Sequence, residues 1–194
     1  MNKELIVGLS SAIIALIGNI PYVISILRGN ARPHRISMGI FTIVGLITFF
    51  NQVINGGGYS ALFGASTAFS VLVFFVLSIK KGMGGKSKLD IICLISALVL
   101  LVFWLASSET RITTLLAIAI DIVAIVPTVH KVYLHPETEI YWAWIVVGVS
   151  GFITVFAVPN NDLILYAWPV YVGFANCTVA LIKKFGHIRS STLL

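Results

Sequence analysis

Apolar residues fill seven long runs of this chain, and polar residues gather in short breaks between them. The runs lie near Leu5–Leu27, Ser37–Asn55, Ser60–Ile79, Leu89–Ser107, Thr110–Tyr133, Ile140–Val158 and Leu163–Ile182. A helix needs about 20 mostly apolar residues to cross the hydrocarbon core of a bilayer, so each run is long enough to be read as a span. The breaks are turn chemistry and charge: Arg28 to Arg35, Asn55 to Gly58, Lys80 to Lys88, Ser108-Glu109, His135 to Glu139 and Pro159 to Asn161. None is long enough to hold a soluble domain. The pattern predicts an all-α membrane protein with seven transmembrane helices.

Composition agrees with the pattern. Of 194 residues, 58% are hydrophobic and 10% charged, with a mean hydropathy of +1.01; soluble domains carry roughly 25% charged residues. The net charge of +6 changes the picture only through its distribution. Arg28, Arg32, Arg35, Lys80, Lys81, Lys86, Lys88, Lys131, Lys183, Lys184 and Arg189 fall in alternate breaks on one side, and only Lys3 and Arg111 fall on the other. The bias of basic residues toward the cytosol then places the N-terminus outside a cell membrane and the C-terminus inside. Nucleic acid is not expected as a partner; the lipid bilayer is. The first run is too long for the core of a signal peptide and reads as the first span. Cys93 and Cys177 suggest neither a disulfide nor a metal site.

The chain also carries a faint internal repeat. A shift of 103 residues lays Pro33 on Pro136, Gly45 on Gly148, Phe49 on Phe152 and Ile79-Lys80-Lys81 on Ile182-Lys183-Lys184. A shift of 106 lays Pro21 on Pro127 and Val23 on Val129. Residues 1–82 and 110–185 thus form two three-helix repeats, 83–109 a linker helix and 186–194 a short tail, read as disordered. One extra span restores the orientation of the second copy, so the repeats are parallel, in a 3+1+3 order.

That order, with a proline in the inner part of the first span of each repeat, resembles the SWEET and PQ-loop transporter superfamily. Pro21 is followed here by Tyr22 and Pro127 by Thr128, where the PQ-loop signature has glutamine. The resemblance implies alternating access by two rocking bundles, and sugars, amino acids or vitamin precursors as substrate classes. It also implies a substrate-binding asparagine in the third helix of each repeat, of which Asn176 matches the second. The equivalent in the first repeat is Val73, with Ser70 and Thr67 the nearest polar residues.

Several residues stand out on physical grounds. Asp121, in the middle of the fifth span, costs roughly 2.5–3.5 kcal/mol to insert, and so reads as a protonatable or substrate-binding carboxyl on an interior cavity. Packing is the bland alternative. Pro21 and Pro127 each free a carbonyl four residues back, of Ile17 and Val123, and are candidate hinges. Asn19 and Asn176 need partners or water. Thr48, Asn51, Gln52 and Asn55 make a polar stripe on the second span. Tyr166, Pro169, Gly173 and Asn176 share a helix face and suggest a pocket wall, and Trp168 is placed to stack on a ligand. Tyr141, Trp142 and Trp144 are expected as interface anchors.

Other classes fare worse. Gly148-Val149-Ser150-Gly151 resembles the nucleophile motif of rhomboid proteases, but His34, His130, His135 and His187 all fall near span ends, away from Ser150. His34, His130, His135, Glu137 and Glu139 read as solvated loop residues, and the last span has no lysine for retinal. No enzyme activity and no cofactor are expected. The reading is a transporter of a small polar solute, with Asn19, Asn51, Gln52, Asp121, Trp168 and Asn176 as the candidate site, and with proton coupling through Asp121 left open. A non-transporting receptor or assembly scaffold is the alternative, and homo-oligomers are compatible with either.

Overall fold

The computed structural model describes residues 2–159 and 163–191, with side chains up to residue 185. Seven α-helices follow in order: α1 Lys3–Arg28, α2 Arg35–Ile54, α3 Ala61–Lys81, α4 Lys88–Ala106, α5 Thr110–Leu134, α6 Tyr141–Thr154 and α7 Leu163–Ser191. Short 3₁₀ turns occupy Gly58–Ser60, Pro136–Thr138 and Val155–Ala157. Six of the helices are long and apolar enough to span a membrane; the seventh, α6 with the turn after it, is an apolar helix over Tyr141–Ala157. The chain is therefore a multi-pass helical membrane protein. The tail expected to be disordered from Gly186 instead continues α7 as far as Ser191; 192–194 lie outside the described residues.

Local chemistry sets the helix ends. Asn2 accepts the Glu4 amide at 3.1 Å and starts α1, and Gly29, at φ +81°, ends it in a left-handed turn that favours glycine. A capping box between Ser87 and Asp90 starts α4. Pro21 and Pro127 both sit inside unbroken helices, Pro21 exposed and Pro127 buried.

The packing follows a simple plan. Helix α3 lies against both α1 and α2, α7 lies against both α5 and α6, α1 meets α6, and α2 meets α5. Helix α4 packs chiefly along α5 and buries only Asp90, Cys93 and Ala97. Outward faces carry exposed apolar side chains such as Ile17, Phe69, Val102 and Leu105, as expected where lipid rather than water is the solvent.

At one end, the breaks rich in Arg and Lys are tied together. Arg32 N donates to Thr138 O at 3.0 Å, Arg35 N to Met83 O at 3.0 Å, and Lys183 Nζ to Pro136 O at 2.6 Å. Lys81 Nζ reaches Leu27 O at 2.5 Å and Arg35 Nε reaches Ser78 O at 3.0 Å, so two cations complete the carbonyl ends of α1 and α3. At the opposite end Thr110 Oγ1 donates to Asn55 Oδ1 at 2.7 Å.

His34 is the pivot of the basic end. It is buried, its Nε2 lies 3.1 Å from Asp90 Oδ1, and its Nδ1 accepts the Ser37 amide at 3.4 Å, capping α2. That arrangement fits a neutral ring with its proton on Nε2; a second proton, on Nδ1, removes the cap. Burial lowers the imidazole's proton affinity, the Asp90 carboxylate opposes this, and Lys131 and Arg35 add to the lowering. The unfolded chain therefore takes up the proton first. The contribution of His34 to stability is complete above the ordinary imidazole value of about 6.5 and is lost as pH falls through the lowered folded value. The melting temperature in detergent is expected to drop between pH 7 and pH 5, and a His34→Gln variant to show a flatter dependence. Equal slopes for the two chains would contradict this.

Candidate functional site

A central cavity lies where six of the seven helices meet. Its empty volume is about 780 Å³, counting the part that opens outward. Every helix except α4 contributes: Asn19 and Tyr22 from α1, Phe41 from α2, Ser70 and Phe74 from α3, Asp121 from α5, Trp144 from α6, and Trp168 and Asn176 from α7 are among the lining residues. The sequence candidates Asn19, Asp121, Trp168 and Asn176 thus come together although up to 157 positions separate them.

The polar groups differ in how far they are committed. Tyr171 donates to Asp121 Oδ2 at 2.6 Å, Asn176 Nδ2 donates to Val172 O at 2.9 Å, and Ser70 Oγ and Thr67 Oγ1 donate to carbonyls of their own helix. Asn19 is 5% exposed, and its side chain makes no hydrogen bond among the described residues. A buried amide left unpaired costs free energy, and this one borders the cavity.

The pocket wall of α7 is not the expected stripe. Trp168, Val172, Ala175 and Asn176 face the cavity, whereas Gly173 and Pro169 face α6: a Cβ on Gly151 would stand 2.7 Å from Pro169 O and 3.0 Å from Gly173 N. Trp144 is corrected as well. It is half-buried against the cavity rather than at an interface, and its ring nitrogen donates to Glu139 Oε2 at 3.0 Å. Trp142, by contrast, is 68% exposed.

At the basic end the cavity is stopped by a buried ionic cluster. Glu139 Oε1 accepts from Tyr22 Oη at 3.0 Å and from Lys131 Nζ, which also donates to Arg32 O at 2.9 Å. The Lys131 side chain is 4% exposed and that of Glu139 0%, so the expectation of a solvated Glu139 is overturned. The Tyr22 ring packs edge-on against Phe74, with centroids 4.8 Å apart, and Tyr22 and Trp144 belong to the cluster and to the cavity wall at once. Glu137 and His135, 69% and 52% exposed, pair loosely at 3.5 Å outside it.

Toward the opposite end, Trp168 separates the cavity from a smaller space of about 300 Å³ and lines both. The α2 stripe of Thr48, Asn51, Gln52 and Asn55 borders that second space, facing Thr110 and Thr114. Asn51 and Gln52 therefore stand apart from the other four candidates. Asn51 Nδ2 lies 3.3 Å from Thr113 Oγ1, and neither polar atom of the Gln52 amide finds a partner among the described residues. A third space, apolar and about 650 Å³, runs between α1 and α3 on the outer surface and shares Asn19, Ser70 and Phe74 with the central cavity.

No family model, curated protein or solved structure matches this chain. Its chemistry must be read from its own residues. Among the described residues no group of His, Cys, Asp and Glu is arranged to hold a metal ion. Ser150, in the protease-like motif, is fully buried and donates to Val146 O at 2.8 Å within its own helix. Sequence reading missed Tyr22, Lys131, Glu139 and Trp144 as neighbours of the site. A usable signal was present: an acid and a base eight positions apart, both adjoining apolar runs, are costly unless they meet.

Proposed function

We propose that this protein is a membrane transporter of a small solute, working by alternating access, with the solute held in the central cavity. The observation that carries the reading is the cavity itself, lined by polar groups from α1, α3, α5 and α7, stopped by a bonded cluster at the basic end and narrowed by Trp168 at the other. Breaking and remaking those two barriers in turn would expose the solute to one side and then the other. Asp121 is the group that would carry a coupled proton, and Tyr171 would hold its carboxyl in place.

The helix packing supports the two-repeat organisation expected of a SWEET-like or PQ-loop-like carrier. Exchange of α1, α2 and α3 for α5, α6 and α7 converts the contact of α1 with α3 into that of α5 with α7. The same exchange converts α2 with α3 into α6 with α7, and α1 with α6 into α5 with α2. The close approaches repeat too: a Cβ on Gly45 would lie 3.2 Å from Ala68 Cα, and one on Gly148, 103 positions later, 3.1 Å from Gly173 O. Helix α4 would then be the linker, with the N-terminus outside and the basic end in the cytosol.

Uptake into proteoliposomes, with and without an imposed pH gradient, tests the proposal. Gradient-driven uptake by the wild type that falls by about tenfold or more in Asp121→Asn is the result expected of a proton-coupled carrier. Uptake unaffected by the gradient and the substitution would leave a facilitator with a structural Asp121. Absence of uptake across a panel of amines, sugars and amino acids would transfer the cavity to a receptor or scaffold.

A further inference from the structure

We infer that the central cavity selects a small organic cation, a primary amine on an apolar or aromatic body without a carboxylate, in preference to a sugar, a zwitterionic amino acid or an organic acid. The inference rests on the cavity being the solute site and names the class of solute it takes.

Three features of the lining carry it. The first is charge: among the described residues Asp121 is the sole Asp or Glu lining the cavity, and no Lys, Arg or His lines it. Lys131, at the basic end, is already held by Glu139 and Arg32 O. A ligand carboxylate would therefore meet Asp121 with nothing to balance it, and like charges at close range inside a low-dielectric site are strongly unfavourable. An ammonium group meets the opposite condition.

The second is hydrogen-bond polarity. Most donors around the cavity are spent: Tyr171 Oη on Asp121, Asn176 Nδ2 on Val172 O, and the Tyr22 and Trp144 donors on Glu139, which leaves Trp168 Nε1 and the Asn19 amide nitrogen free among the lining residues. Ser70 and Thr67 likewise donate to their own helix. Acceptors remain, in the Asp121 carboxylate, the Asn176 and Asn19 amide oxygens and the hydroxyl lone pairs. Free acceptors thus outnumber free donors, and a ligand fitted to this surface brings more donors than acceptors, which suits an ammonium better than a polyol.

The third is the ring content. Tyr22, Phe41, Phe74, Trp144 and Trp168 all line the space, and the negative face of an aromatic ring attracts a desolvated cation. The Asn19 amide, in a residue 5% exposed at the border of the space, is uncommitted among the described residues and available to a ligand group.

The test is binding of four matched probes to the detergent-solubilised full chain, followed by tryptophan fluorescence and by thermal stabilisation: phenethylamine, 2-phenylethanol, 3-phenylpropionate and phenylalanine. Phenethylamine is expected to bind at least about tenfold tighter than each of the others. Asp121→Asn should lose that preference while melting as a folded protein, and Asp121→Glu should keep part of it. Failure of the amine to bind, equal binding of the alcohol or the zwitterion, or an undiminished preference in Asp121→Asn would overturn the inference. Amine binding without uptake in proteoliposomes would keep the inference and remove the transporter; uptake of a neutral or zwitterionic solute without amine binding would do the reverse.

Discussion

Replacement of Glu139 by alanine is expected to cost about 3–5 kcal/mol of stability, the range found when one partner of a buried ion pair is removed. The cost arises from what is left behind. The Lys131 ammonium, 4% exposed, would keep only Arg32 O, and the Tyr22 hydroxyl and Trp144 ring nitrogen would each lose their acceptor. An unpaired charge in a low-dielectric setting dominates that sum. Thermal unfolding in detergent is the measurement, and the double variant Lys131→Met/Glu139→Leu is expected to recover most of the loss, since it removes charge and partner together. Glu137→Ala, two positions away and largely exposed, should change stability by no more than about 0.5 kcal/mol. If the variants at 137 and 139 melt alike, the cluster is not a buried pair.

The second large effect is expected from Gly151→Leu. A Cβ there would collide with backbone, 2.7 Å from Pro169 O and 3.0 Å from Gly173 N, and backbone has no rotamer by which to move aside. Helices α6 and α7 would have to separate, which costs about 3 kcal/mol or more by analogy with overpacked cores, and small residues at such crossings are what lets membrane helices approach. Val149→Leu, on the 46% exposed face of the same helix, serves as control and should be nearly silent. Because α7 carries Trp168 and Asn176 into the cavity, Gly151→Leu should also weaken the amine binding proposed there; a stable variant with unaltered binding would show that the crossing is soft.

The helices were legible because lipid makes hydrophobicity a nearly one-dimensional code. The predicted span Thr110–Tyr133 and the observed α5, Thr110–Leu134, differ by one residue, and most other ends agree within two or three. Asp121, Asn19 and Asn176 were legible for the converse reason, since a polar group in such a run must have somewhere to go. Sequence fails where a residue's neighbour comes from a distant helix. Glu139 looked like loop because it follows His135-Pro136-Glu137, and nothing local says that Tyr22, 117 positions earlier, will meet it. Trp144 looked like an interface ring for the same reason: position along the helix gives depth, whereas rotation about the axis is set by packing. The α7 stripe failed on rotation alone, being turned so that Gly173 meets α6 and Ala175 meets the cavity.

Helix α4 lines no part of the cavity and holds to the rest of the protein mainly along α5, with its deepest polar anchor, Asp90, in its first turn. Selection on the cavity therefore has little grip on it beyond that turn. Its outward residues answer to the thickness and fluidity of the surrounding lipid, so among lineages that keep the same cavity but inhabit different membranes, this helix is where sequences should drift fastest, leaving Ser87 and Asp90 as the fixed points of an otherwise replaceable segment.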